Sequence, residues 1–105
     1  MARAQFQTLS EPMYYILLAL TEECCGVDVM RRVTELSGGR VTVGPGTLYT
    51  LLARFQESSA IREIGIDGRK RAYRITSLGL ALLTQEYQRL QSMADDGRTI
   101  MEELK

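Results

Sequence analysis

The sequence predicts a mainly helical domain that carries one small β-hairpin and ends in a long helix. Three patterns support this fold class: apolar residues recur at helical spacing, two β-capable runs flank an Asp-Gly pair, and an apolar stripe at heptad spacing follows them. The 105 residues suit one compact domain, and a content of 45% hydrophobic and 25% charged residues is typical of a folded protein.

The first helix is predicted to run from about Glu11 to about Glu22. Ser10 can cap free N–H groups, and Glu11 and Pro12 suit the first turn of a helix. The helix is apolar on nearly every side, which indicates burial on several sides, in part by a second subunit. We expect the about eight residues that precede it to form an arm.

The next two helices each have one apolar and one polar face. Gly26 to Ser37 is predicted to form an amphipathic helix that Gly38-Gly39 ends, and Pro45 to Ser58 is predicted to form another. In this third helix the core-facing residues are Leu48, Leu51, Leu52 and Phe55, and the outer face carries Gly46, Thr50 and Arg54, flanked by Thr47 and Tyr49.

A basic β-hairpin follows the third helix. Ile61–Ile66 and Arg69–Ile75 are β-capable, and Asp67-Gly68 between them is a strong signal of a two-residue turn. The segment from Arg62 to Arg74 contains five cationic and two anionic residues, although the formal charge of the whole chain is zero. The hairpin is therefore the cationic part of a chain that is otherwise mildly acidic. Its inward-facing residues are predicted to be Ile64, Ile66, Tyr73 and Ile75.

Thr76 can cap a last helix that runs from about Ser77 towards the C-terminus. Its apolar stripe is too long to be buried by so small a domain, so we expect the helix to pair with its copy in a homodimer. The alternative is that the stripe packs back onto its own domain. Asp95, Asp96 and Gly97 weaken helix propensity and could kink the helix. The stripe consists of Leu83, Tyr87, Leu90, Ala94, Gly97, Met101 and Leu104, widened by Met93 and Ile100.

This order of elements predicts a winged helix-turn-helix over residues 1–76 and a dimerisation helix over residues 77–105. In such a fold the third helix enters the DNA major groove, and a cationic wing reaches the phosphates. The alternative is a module that binds protein. In that case the third helix begins with an ordinary helix start, and the charged hairpin only keeps a sheet edge soluble. The candidate DNA-binding residues are Gly46, Thr47, Tyr49, Thr50, Arg54, Arg69, Lys70 and Arg71.

The composition gives little support to other functional classes. The chain lacks His and Trp and has no recognisable catalytic, phosphate-binding or metal-ligand set, so we expect no enzymatic activity, no cofactor and no metal. Cys24 and Cys25 supply half of a four-ligand site, and we expect them to be reduced, partly buried turn residues rather than a redox or metal sensor. The longest apolar run, Tyr14 to Leu20, is too short to cross a membrane, and no signal segment opens the chain, which predicts a cytoplasmic protein.

Several motifs resemble those of the PadR family of bacterial transcriptional regulators, over nearly the whole chain from Leu9 onwards. The resemblance, to the short branch of the family, implies a homodimeric repressor that reads an inverted repeat in double-stranded DNA and is released by a small aromatic or hydrophobic effector. It implies that Thr47 and Tyr49 belong to the recognition helix and that Tyr15 lies at the dimer or DNA surface. It also implies a basic wing formed by Arg69, Lys70 and Arg71. The motifs are Leu9–Leu20, Gly38–Arg40, Gly44–Tyr49, which is the most specific, and Tyr73–Thr76 with Gly79.

The chain departs from the family pattern in two places. Many relatives have a His-Gly-Tyr turn where this chain has Cys25-Gly26-Val27, and often two aromatic residues where it has Ala72-Tyr73. Trp is absent as well. These differences concern effector recognition more than DNA binding.

Overall fold

A computed structural model describes residues 8–65 and 71–105 of the chain. The order of its elements confirms the predicted winged helix-turn-helix followed by a long C-terminal helix. The predicted Asp67-Gly68 turn lies outside the described residues. The elements are α1 (Glu11–Ala19), β1 (Cys24–Cys25), α2 (Gly26–Leu36), α3 (Pro45–Glu57), β2 (Ile61–Ile64), β3 (Ala72–Ile75) and α4 (Ser77–Glu103).

Side-chain caps begin the first and last helices, as the sequence predicts. The Ser10 hydroxyl accepts a hydrogen bond from the Met13 N–H at 3.4 Å, and the Thr76 hydroxyl accepts one from the Gly79 N–H at 3.1 Å. Such caps satisfy N–H groups that have no partner within the helix. Local sequence chemistry therefore sets where α1 and α4 begin.

The first helix ends at Ala19, earlier than the predicted end near Glu22. The Leu20 carbonyl accepts a hydrogen bond from the Ile75 N–H at 2.8 Å, at the end of β3. In addition, the Thr21 hydroxyl donates to the Leu18 carbonyl at 2.8 Å. A carbonyl that pairs with a distant strand cannot continue the helical ladder, so α1 stops where the sheet begins.

The sheet has three antiparallel strands in the order β1-β3-β2. Cys24 lies opposite Tyr73 and Cys25 lies opposite Ala72, so the segment predicted as a turn between helices is an edge strand. On the other side of β3, Ile61 pairs with Ile75 and Ile64 pairs with Ala72. Of the residues predicted to face inward, Tyr73 is buried, Ile64 and Ile75 are half-buried, and Ile66 lies outside the described residues. The prediction missed Ile61 and Ala72, which are also buried.

The hydrophobic core lies between α1, α2, α3, the sheet and the first turns of α4. Gly79 brings α4 close to the chain that enters β2, because a Cβ at this position would overlap the Ala60 carbonyl oxygen. A glycine is therefore needed where α4 leaves the sheet. The largest fully buried side chains are Phe55, Ile16, Leu17, Leu20, Leu48, Leu52, Val29 and Val33.

The last helix projects well beyond this core. It has 27 residues and is therefore about 40 Å long, in a molecule whose longest dimension is 56 Å. Its buried residues are Gly79, Leu83 and Glu86, all in the first three turns. The helix continues through Asp95–Gly97, where the sequence allowed a kink. Among the described residues, no helix is both long and apolar enough to span a membrane.

Candidate nucleic-acid interface

The outer face of α3 is polar and accessible, as the helical periodicity predicts. Leu48, Leu52 and Phe55 are buried and Leu51 is half-buried, which fixes the orientation of the helix on the core. The first turn begins with Pro45 after Gly44, so its free N–H groups give this end of the helix a partial positive charge. The candidate residues on this face, all exposed, are Gly46, Thr47, Tyr49, Thr50 and Arg54.

Tyr49 also has a packing role that the sequence analysis did not predict. Its ring lies against Gly26, the first residue of α2, where an added Cβ would be 3.1 Å from the Tyr49 hydroxyl oxygen. The side chain is still 43% exposed. Tyr49 therefore joins the two helices of the helix-turn-helix while a large part of the residue stays accessible to solvent. A Cβ at position 26 would crowd the Tyr49 ring, so a glycine at this position lets the ring approach α2 closely.

Three residues form a cluster at the base of the hairpin, which we call the wing-stem cluster: Glu63, Arg71 and Tyr73. The Arg71 Nε lies 3.5 Å from a carboxylate oxygen of Glu63. Burial and the Glu63 charge raise the pKa of the Tyr73 phenol, whereas the charge of Arg71 and its hydrogen bond with the phenol act in the opposite direction. Tyr49 interacts electrostatically with the same phenol. The cluster thus lies near Tyr49 of α3.

The backbone also ties the wing to the helix-turn-helix. The Gly26 N–H donates a hydrogen bond to the Arg71 carbonyl at 3.1 Å. Gly26 therefore bonds to the wing through its backbone N–H. Because it has no side chain, the Tyr49 ring can also lie close to it. Tyr49 of α3 and the backbone of Arg71, the residue before β3, are therefore both held against the first residue of α2.

Two further arginines face each other on the hairpin. Arg62 on β2 lies directly opposite Arg74 on β3, and both are exposed. Like charges opposite each other weaken a sheet, and they also concentrate positive potential on it. Neither residue was among the DNA-binding candidates from the sequence, because their pairing depends on the strand register. The candidates Arg69 and Lys70 lie outside the described residues, whereas Arg71 is exposed.

Most of the predicted dimer stripe on α4 is uncovered within the chain. Leu83 is the exception: it is only 5% exposed and belongs to the core of its own chain. The alternative to dimerisation was that the whole stripe packs onto its own domain. Only the start of the stripe does so. Gly97 is half-buried, and the exposed members of the stripe are Tyr87, Leu90, Met93, Ala94, Ile100, Met101 and Leu104.

Aromatic residues of α1 lie next to this stripe. Tyr14 and Tyr15 are half-buried, with ring centroids 5.7 Å apart in an edge-to-face arrangement. Burial raises the pKa of Tyr14, and its interaction with Tyr87 of α4 adds to the shift. The Tyr15 hydroxyl accepts a hydrogen bond from Arg40 at 2.7 Å. Tyr15, the candidate interface residue of α1, is therefore held by the loop that precedes α3.

The cysteines show the features of structural residues. Cys24 is buried, and burial raises the pKa of its thiol, which favours the protonated form. Cys25 is half-buried at the edge of the sheet. Within the described parts of the chain, no group of three or more His, Cys, Asp or Glu side chains could hold a metal ion.

Comparisons with known proteins agree with this geometry. The model of the Transcriptional regulator PadR-like family matches residues 16–85, and no curated protein matches the chain. A transcriptional regulator from Clostridium thermocellum is similar in structure, with a TM-score of 0.70, 19% identity and 90% of each chain covered. A PadR family regulator from Clostridium difficile has a TM-score of 0.72 and 20% identity over 88% of this chain and 99% of its own. RosR of H. salinarum has a TM-score of 0.63 and 20% identity over 90% and 97%. At these identities the likeness concerns the fold.

Proposed function

Since this chain belongs to the PadR-like family of transcriptional regulators, we propose that it is a homodimeric repressor that recognises an inverted-repeat operator in the cytoplasm. Membership of the family makes it a DNA-binding transcriptional regulator, which is consistent with the expectation that it has no enzymatic activity. The observation that supports the finer proposal is the link between α3 and the wing through Gly26, against which Tyr49 packs and whose N–H donates to the Arg71 carbonyl. Repression, the operator symmetry and effector control are our inferences.

The α3 helix would enter the major groove with its outer face against the bases. Gly46 allows the backbone to approach the DNA closely, and the hydroxyls of Thr47 and Thr50 can bond to base edges or phosphates. Tyr49 would present the solvent-facing part of its ring and hydroxyl. Arg54 lies on the same face and would contact a guanine edge or a phosphate.

The wing would bind the sugar-phosphate backbone beside α3. Arg71 is held next to the recognition helix, and Arg69 and Lys70 precede it in the sequence. Arg62 and Arg74 add a second pair of cations on the same hairpin. Such contacts fix the register of a protein on the duplex and are independent of sequence.

The uncovered stripe of α4, from Tyr87 to Leu104, would pair with the same stripe of a second copy, with Tyr15 of α1 beside it. A two-fold pair of recognition helices matches an inverted repeat, because each helix then meets an equivalent half-site. Leu83 would support this interface from the core of its own chain.

A small aromatic or hydrophobic effector would release the DNA. The half-buried rings of Tyr14 and Tyr15, next to Tyr87 and the stripe, are the aromatic surface that supports this part of the proposal. A ligand that stacks there would change how α4 meets α1, and thereby the distance between the two recognition helices. Fluorescence titration with aromatic compounds tests this, with Tyr14→Leu as the variant expected to lose binding.

Selection from a pool of random DNA duplexes at about 0.15 M salt, where non-specific binding is suppressed, tests the proposed function. We expect an enriched inverted repeat with half-sites about one helical turn apart. A folded dimeric protein that enriches no sequence, with or without candidate effectors, would contradict the proposal. A winged-helix module that binds another protein would then be the better account.

A further inference from the structure

One cation of the proposed DNA interface is already paired with an acid of the same hairpin. The Arg71 Nε lies 3.5 Å from a Glu63 carboxylate oxygen, and the two side chains are 71% and 37% exposed. Arg71 immediately precedes β3, and Glu63 lies on β2, opposite Tyr73 in the register. The two charges therefore meet diagonally across the hairpin.

The backbone of Arg71 is held more firmly than its guanidinium. Its carbonyl accepts a hydrogen bond from the Gly26 N–H, so this part of the wing is attached to the start of α2. The guanidinium, by contrast, contacts Glu63 and the Tyr73 phenol near the surface. It can therefore turn towards a new partner without a change in the fold.

A carboxylate and a phosphate offer a guanidinium the same kind of partner, a pair of anionic oxygens. When the protein binds DNA, Arg71 can exchange the Glu63 carboxylate for a phosphate. The loss of the ion pair with Glu63 then reduces the free energy gained from the contact with the phosphate. An ion pair this exposed is weak enough to be exchanged.

We propose that Glu63 holds the Arg71 guanidinium in the DNA-free protein and releases it to a DNA phosphate on binding, so that Glu63 lowers the affinity for DNA of any sequence. This inference rests on the proposed function, because it assigns to Glu63 a positioning role at the same interface. Glu63 thereby limits the time that the protein spends on non-operator DNA, where phosphate contacts supply nearly all of the affinity.

Replacing Glu63 with Gln tests the exchange, because it removes the charge and keeps the shape of the side chain. With a mixed-sequence duplex at about 0.05 M salt, we expect Glu63→Gln to bind about two- to fivefold more tightly than the wild type. The gain should shrink at about 0.2 M salt, because salt screens an exposed ion pair. A variant that merely disturbed the fold would not show this dependence.

A double-mutant cycle separates an effect through Arg71 from general repulsion between Glu63 and DNA. In an Arg71→Gln background, the gain from Glu63→Gln should disappear. Glu102→Gln is the matched control, because it makes the same change in net charge on the last turns of α4, far along the helix from the wing. Circular dichroism melting checks that each variant is folded, and Glu63→Ala provides a second substitution.

Each outcome is informative. A gain that persists without Arg71, an equal gain in Glu102→Gln, or unchanged binding in Glu63→Gln while the wild type binds the duplex would overturn the inference. If the folded wild type and every variant fail to bind duplex DNA even at low salt, the proposed function itself fails.

Discussion

Ser59 and Gly38 occupy equivalent positions, one residue beyond the caps of α3 and α2. Both have left-handed backbone conformations, with φ of 67° and 63°. In each case the next residue donates to a carbonyl of the last helical turn: Ala60 to Phe55, and Gly39 to Thr34, both at 2.8 Å. This is the hydrogen-bond pattern of a Schellman motif, in which glycine is the favoured residue. Ser59 is thus strained in a place where Gly38 is not.

We expect Ser59→Gly to raise the free energy of unfolding by about 1 kcal/mol, because glycine adopts this backbone conformation without the steric cost that a Cβ imposes. Urea denaturation measures the change. Gly38→Ser is the reciprocal variant and should lower the stability by a similar amount. If Ser59→Gly lowers the stability instead, the side chain of Ser59 has a role that its exposed position does not suggest.

The contact that Tyr49 makes with another helix is visible only in the three-dimensional structure. The sequence correctly placed it on α3, on the flank between the polar and apolar faces. Its contact with Gly26 joins residues of two different helices, and no local periodicity encodes that contact. The pairing of Glu63 with Arg71 could not be predicted for the same reason, since it depends on how the two strands of the hairpin are aligned.

At the scale of elements, Glu86 joins α4 to the segment before α1. The Glu86 side chain is buried. It accepts two hydrogen bonds from Arg89 and a third from the Leu9 N–H. The Arg89 hydrogen bonds hold the pKa of the Glu86 carboxyl below its usual value, against the opposing effect of burial. Tyr14 is a further titratable group beside it. The ionised form of Glu86 is therefore the one that stabilises the fold.

The lowered pKa predicts how stability depends on pH. A carboxyl whose pKa is lower in the folded than in the unfolded state stabilises the protein above its unfolded pKa, and this contribution is lost as pH falls through the folded value. We expect Glu86→Gln to lower the stability at neutral pH by about 1–2 kcal/mol. The difference from the wild type should narrow in acid, as thermal melting across pH 7 to about pH 3 would reveal. A constant difference would exclude the ionic role.

The strand β1 shows why one element escaped prediction. Two residues carry no periodic signal, and Cys24–Cys25 becomes a strand only because β3 supplies its hydrogen-bond partners. The long helices, in contrast, were predictable from capping and spacing within their own sequence. The end of α1 again depended on a distant partner, Ile75, and was predicted too late in the chain.

For α4, we expect Leu90→Glu to abolish dimerisation. Leu90 belongs to the uncovered stripe, and a symmetric interface would lose two apolar side chains, which costs about 3–6 kcal/mol in total. Light scattering at micromolar concentration should give the mass of two chains for the wild type and of one for the variant.

Ser92→Glu is the control for this prediction. Ser92 is exposed on the opposite side of α4 and should leave the dimer intact. A monomeric wild type, or a Leu90→Glu variant that remains dimeric, would show that this stripe is not the dimer interface.

At the scale of the whole molecule, positive and negative charges balance, but cationic residues are concentrated on the hairpin. The formal net charge is zero, yet Arg62 and Arg74 lie opposite each other on the hairpin. Arg71 is bonded through its carbonyl to Gly26, against which Tyr49 of α3 packs. The sequence could predict this neighbourhood because the order of elements already implied a winged helix. It could not predict that Leu83 would be taken up by the core, since that depends on how closely Gly79 lets α4 approach Ala60.

In the proposed complex with DNA, α3 reads the bases while the wing binds phosphates. The most direct test compares the affinities of two variants for the selected operator and for a shuffled duplex. We predict that Thr47→Val weakens operator binding about tenfold and hardly affects the shuffled duplex. Arg71→Gln should weaken both to a similar degree and reduce the salt slope by about 1 per lost phosphate contact. Operator affinity that is unchanged in both variants would contradict the account.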